Sequence, residues 1–417
     1  MSRQYLRIHR ITESAPDRKA TGTSLGEFRS ISHAAAARLA NTIMPNESHQ
    51  KIVNIQALRG VAVLLVVFAH VGSYEKRFFD GHAYLDLFTT IGAAGVDLFF
   101  VISGFVMMAI CHGGYQKKKA APAFFLRRVA RIYPLYWVFT LLYLPIFLFY
   151  PQMMNRQEGA EGVSLVRSFL LLPGLQVPLV GQGWTLVHEM YFYLVFSIAL
   201  FFPERHKVRF LAIWSALIVV GFALTARFDV LQDFPLLMLA SDPLTFEFIA
   251  GCVTFVLISK GCRVNSRLLV VLGALGLLVP GIMSLPFDRT VHVDRMIICL
   301  LPATLLVLGA VSLERRNGII LPKFLTFVGD ISYSVYLSHM IVVSGAHKLF
   351  RFLDLGSSTP AHLFYVALSI ALACGAGAAI HFLLERPLLR VGYATVRRLL
   401  HEKAEAAHPL TARIKQT

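Results

Sequence analysis

After residue 51, apolar blocks of about 18–25 residues recur along the chain, separated by short basic or polar breaks, and each is the length a helix needs to cross a hydrocarbon core of roughly 30 Å. In that environment every backbone N–H and C=O must be satisfied within its own segment. The chain is 56% hydrophobic and only 15% charged, well short of the quarter or so that is charged in soluble domains. A cytosolic enzyme is therefore disfavoured, and the predicted class is an all-α, polytopic membrane helix bundle.

The hydropathy pattern predicts ten spans, at 52–72, 88–111, 132–150, 184–202, 208–226, 236–259, 268–286, 294–313, 326–349 and 362–384. They form a core over 51–388, flanked by a polar tail at 1–50 and a basic tail at 389–417. Within the first tail Ala34–Ile43 reads as a short helix, and nothing there resembles the apolar region of a cleavable signal peptide.

The formal charge is +16, from 40 Lys and Arg against 24 Asp and Glu. Such a balance can mark nucleic-acid binding, but here the cations lie between apolar blocks, and no nucleic-acid partner is predicted. Clusters at Lys117–Lys119 with Arg127, at Arg205–Arg209, at Lys260–Arg267, at Arg315–Lys323 and after Arg386 occupy alternate gaps. By the positive-inside rule both termini are cytoplasmic. Of the external gaps, only 151–183 is long enough for a lid. The five cysteines form no CxxC pair and mostly lie in or beside apolar blocks, so packing is expected of them and no metal site.

Charged groups and histidines at bilayer depth are costly and usually face a bundle interior. Here they are His70, Asp97, His188, Glu189, Glu247, Asp330 and His339. Arg59 and His70 are eleven residues apart, which on a helix is three turns plus roughly 20°, placing both on one face about 16 Å apart. The run from Val61 to Ala69 between them is wholly apolar. Arg128 and Arg131, at i and i+3, share a face at the cytoplasmic mouth of the third span. Orientation and a grip on phosphate both suit that pair, and the spacing leaves the two readings open.

Two further segments carry polar groups in helical register. Glu189 and Tyr193 stack at i, i+4 just after Trp184. Asp330, Tyr333, Tyr336 and His339 recur every three residues, as a polar ridge lining a cavity would.

On these residues the chain resembles the acyltransferase 3 family of integral-membrane acyltransferases, especially the branch that O-acetylates exopolysaccharide and O-antigen. The resemblance rests on Arg59-Gly60 followed by ten residues to His70, Gly95-Val96-Asp97 running to Ser103-Gly104, and Arg128-x-x-Arg131. It continues through Gly183-Trp184 with Glu189, Gly329-Asp330-Ile331-Ser332-Tyr333, and Glu385-Arg386-Pro387. It implies a multi-pass protein of the bacterial inner membrane, with no tightly bound cofactor and cytoplasmic acetyl-CoA as donor. The acceptor it implies is a polysaccharide or lipid-linked saccharide on the outer face. Carried over, Arg59, Arg128 and Arg131 would bind the donor and His70 would be the essential histidine, with Glu189 and Asp330 as further catalytic candidates from their place at bilayer depth. Trp184, Tyr193, Tyr333, Tyr336 and His339 would line the cavity, and His188 matches no motif position.

The chemistry fits this expectation. A sugar hydroxyl is a poor nucleophile, and a histidine base contributes about 10²–10⁴ in rate. Ten spans with interior charges suit a transporter or flippase equally well, and no internal repeat relates the two halves of the chain. A membrane partner subunit without chemistry would leave the two basic pairs without a purpose.

Overall fold

The computed structural model describes residues 52–78, 83–117, 119–150, 163–282, 292–353 and 358–400. The helix expected at Ala34–Ile43 lies outside them. The helices are α1 (Val53–Phe78), α2 (Ala83–Cys111), α3 (Ala120–Phe149), α4 (Leu165–Leu170), α5 (Gly183–Ala199), α6 (Lys207–Arg227) and α7 (Pro235–Ala240). They continue as α8 (Thr245–Ser259), α9 (Ser266–Ile282), α10 (His292–Asn317), α11 (Lys323–Asp330), α12 (Ser332–Phe352), α13 (Thr359–Ile380) and α14 (Arg386–Leu399). No strand occurs among the described residues.

Helices α1 and α2 form the centre of the bundle, in contact with each other and with α10; α11, α12 and α13 lie against α1, and α8 and α9 against α2. Close approach depends on glycine, the usual device where lipid offers no hydrophobic drive between helices. A Cβ on Gly104 of α2 would collide with the Phe248 carbonyl of α8, and one on Gly329 of α11 with the Gln56 carbonyl of α1. The outward face is lipid-like: Ile213, Leu217 and Val220 of α6 are more than half exposed, more apolar surface than a soluble monomer tolerates.

Among the described residues, seven helical stretches are long and apolar enough to cross a membrane. The predicted fourth and seventh spans are each 17 residues long, as α5 and α9. The predicted ninth is two helices broken at Ile331, because a turn there seats Gly329 against α1. The sixth is likewise divided between α7 and α8 at Ser241–Leu244.

Two boundaries move for physical reasons. Helix α3 begins at Ala120 rather than 132, since Arg127, Arg128 and Arg131 break the hydropathy without breaking the helix. Arg128 and Arg131 therefore sit two to three turns inside α3, not at its mouth. Beyond the last span, residues 386–399, most of them in the tail expected from 389, form α14, which packs on the first half of α3 through Val396 and Leu400 against Ala123 and Ala130. A π-helical turn at His381–Glu385 joins it to α13.

Candidate active site

A cavity opens between α1, α2, α3, α5 and α12. At one end it is lined by Arg59, Arg128, Arg131, Glu189, Tyr193, Ser332 and Tyr333. Helix α2 supplies an apolar wall that includes Val96, Phe99, Phe100 and Met107, and Thr185 and Tyr336 also line the cavity. Seven of the eleven predicted site residues thus meet in one space, brought there from four helices.

The arginine end is built by register. Arg59 lies two turns into α1 and donates from Nη2 to Ser332 Oγ at 3.1 Å, where α12 begins. Arg128 lies against two aromatic faces, 5.6 Å from the Phe124 centroid and 5.7 Å from that of Tyr193, a cation–π arrangement. The Tyr193 hydroxyl donates to Glu189, one turn away on α5. Arg59 and Arg131 each feel the charges of Glu189 and Glu385. Three cations over two carboxylates leave a local excess of positive charge, suited to an anionic ligand whose oxygens accept from guanidinium forks.

Glu385 reaches this end through the π-helical turn. Its carboxylate is buried and accepts from Ser334 Oγ at 2.6 Å and from His381 Nδ1 at 2.7 Å. Arg386 Nε donates to His381 Nε2 at 3.2 Å. Such single π turns concentrate at functional sites, and this one gives the Glu385-Arg386-Pro387 motif a physical role.

Beyond Tyr336 lie two histidines. His339 is fully buried and donates from Nδ1 to the Tyr336 carbonyl at 2.6 Å; its ring centroid is 5.8 Å from that of Tyr336 and 4.9 Å from that of His70. His70 donates from Nδ1 to the Val66 carbonyl at 2.8 Å. A carbonyl only accepts, so the proton of the neutral His70 ring is on Nδ1 and its lone pair on Nε2. Because α1 is unbroken from Val53 to Phe78, the spacing of about 16 Å from Arg59 to His70 follows directly from helical rise.

Four predicted site residues, Asp330, Trp184, His70 and His339, lie outside the cavity lining. Asp330 ends α11 and accepts from Gln56 Nε2 at 2.7 Å; the break at Ile331 separates it from the ridge, so Tyr333, Tyr336 and His339 alone share α12. Trp184 meets His188 edge to face at 5.5 Å. His188, unmatched by any motif, bonds Asp242 Oδ2 at 2.9 Å while Asp242 Oδ1 accepts from the Leu244 N–H. It ties α5 to the break between α7 and α8.

Sequence reasoning missed Ser332, Thr185 and Glu385 as members of the site. Ser332 and Glu385 stood in quoted motifs and so had a signal; Thr185 is an ordinary polar residue without helical periodicity.

The acyltransferase domain model matches residues 52–380. Exopolysaccharide production protein ExoZ of Rhizobium meliloti (strain 1021) is 33% identical over 320 residues, covering 73% of this chain and 92% of that protein. Acyltransferase MdmB of Streptomyces mycarofaciens is 27% identical over 379 residues, covering 82% and 92%. No solved structure matches the chain.

Proposed function

Because the chain belongs to the acyltransferase 3 family, we propose that it carries an acetyl group from cytoplasmic acetyl-CoA to a hydroxyl of an exported polysaccharide or lipid-linked saccharide. It is a multi-pass membrane protein and an acyltransferase. The family decides for an enzyme over the transporter. The proposal adds the donor, the acceptor, ten crossings of the bacterial inner membrane and two cytoplasmic termini.

The observation that carries this reading is the cavity, with three arginines at one end and Tyr336 between it and the His339–His70 pair. CoA phosphates would rest at Arg59, Arg128 and Arg131, and the pantetheine arm would follow the apolar wall of α2. The acceptor hydroxyl would lose its proton to His70 Nε2 as its oxygen attacks the thioester carbonyl. The C–S bond then breaks, and the proton passes from His70 to the departing thiolate. Atoms balance without any further reactant.

The ExoZ likeness supports a polysaccharide acceptor, since that relative is named for exopolysaccharide production. The test is thiol release from acetyl-CoA by the full chain in vesicles. Release should be stimulated by saccharide with free hydroxyls and not by the same saccharide fully O-acetylated. Equal stimulation by both would overturn the acceptor assignment.

A further inference from the structure

The described part of the 151–183 gap is fastened to the bundle at several points. Backbone carbonyls of Ser168, Phe169 and Leu170 accept from Tyr136, Trp137 and Tyr133 of α3 at 2.7, 2.9 and 2.7 Å. Leu179 N–H donates to Ser168 Oγ at 2.9 Å. These anchors on α3 begin only two residues after Arg131, so the segment lies against the middle of α3, with Tyr136 and Ser168 buried at the contact.

At the inner end of that segment, Gln182 is buried and donates from Nε2 to the Leu337 carbonyl of α12 at 2.9 Å. Its own carbonyl accepts from the Tyr336 hydroxyl at 3.1 Å and from Thr185 Oγ1 at 3.1 Å. Thr185 Oγ1 and the Tyr336 hydroxyl also lie 2.6 Å apart, and with one proton on each hydroxyl two of these three contacts are bonded at a time, one hydroxyl donating to the other and that one to the Gln182 carbonyl. The Tyr336 and Phe99 rings, both in the cavity lining, meet edge to face with centroids 6.3 Å apart, and the Tyr336 ring also lies against His339. Neither His339 nor His70 lines the cavity, so the chain of contacts runs from the cavity through Tyr336 to His339 and on to His70. Buried His339 Nε2 has no hydrogen-bond partner among the described residues, so this nitrogen is enclosed by the protein with its bonding capacity unused.

We propose that Gln182 and Thr185 are specificity-determining residues: through Tyr336 they bar the donor cavity from the His339–His70 pair until an acceptor engages the outer segment. This rests on the acyl-transfer reading above. An acetyl thioester waiting beside a histidine base would be lost to water. In that reaction water attacks the carbonyl, the C–S bond breaks, and acetate and CoA leave with one proton each to carboxylate and thiolate according to pH. A latch held from the outer segment makes access to the base conditional on the saccharide, and so selects sugar over water.

The test uses the full chain in vesicles with acetyl-CoA, measuring thiol release without acceptor and acetyl transfer with it. Thr185→Val removes the latch hydroxyl at nearly constant volume, and Tyr336→Phe keeps the ring but removes its bonds. Each loses a net hydrogen bond, which should raise acceptor-free release, relative to transfer, by about fivefold. A ratio at the wild-type value in either folded variant would overturn the latch. A wild-type chain that releases no CoA even with acceptor would instead overturn acyl transfer, and the latch with it. The two failures are thus told apart by the wild-type control.

Discussion

The imidazoles of His70 and His339, from α1 and α12, meet edge to face with ring centroids 4.9 Å apart. Their tautomers are fixed independently, His70 by the Val66 carbonyl and His339 by that of Tyr336. His70→Ala should therefore lower turnover by about 10²–10⁴ while the chain still inserts, the loss typical of a missing general base. His339→Ala leaves the His70 tautomer intact and should cost less, within about tenfold on the same scale. Steady-state kinetics on both variants checks this, and equal losses would make the pair a single unit.

The arginines separate binding from orientation. Arg128→Lys and Arg131→Lys keep the charge that sets topology but lose the fork that grips phosphate. Each should raise the KM for acetyl-CoA roughly tenfold or more, from a lost charge-assisted contact of about 1.5–3 kcal/mol. At saturation kcat should fall much less. Unchanged KM in the double variant would reduce these residues to orientation signals and leave Arg59 as the donor contact.

Gly329 tests the packing that positions the site. An added methyl there would overlap the Gln56 carbonyl of α1, and overpacking of this kind costs typically 1–3 kcal/mol. Gly329→Ala should lower the thermal unfolding midpoint of the detergent-solubilised chain. It should also reduce activity, because Arg59 and its partner Ser332 lie on the two helices that flank this contact.

Topology can be read from thiols. Cys262 is exposed, whereas Cys111, Cys252 and Cys299 are buried. With Lys260 and Arg263 beside it, Cys262 should react with an impermeant maleimide in inverted vesicles and not in intact cells. Labelling from outside would reverse the orientation, and with it the placement of the arginine end on the donor's side.

Much of this was legible in the sequence, for reasons that particular residues make plain. Helical spacing put Arg59 with His70, and Glu189 with Tyr193, because those pairs lie on single helices. The meeting of Arg59 with Ser332, or of Thr185 with Tyr336, joins residues far apart in the chain and leaves no periodic trace. The breaks at Ile331 and at Ser241–Leu244 were hidden because apolar residues continue through both. The arginines of α14 make it look like tail, although Leu388, Val396 and Leu400 already carry the period of one helical face.

The most direct measurement of the central claim is the fate of label when inverted vesicles containing the chain receive acetyl-labelled CoA and extracted polysaccharide intermediates. The account predicts label in the saccharide fraction with the wild-type chain and almost none with His70→Ala. Label that stays on CoA with the wild-type chain, in vesicles where the protein is folded and the acceptor present, would contradict it.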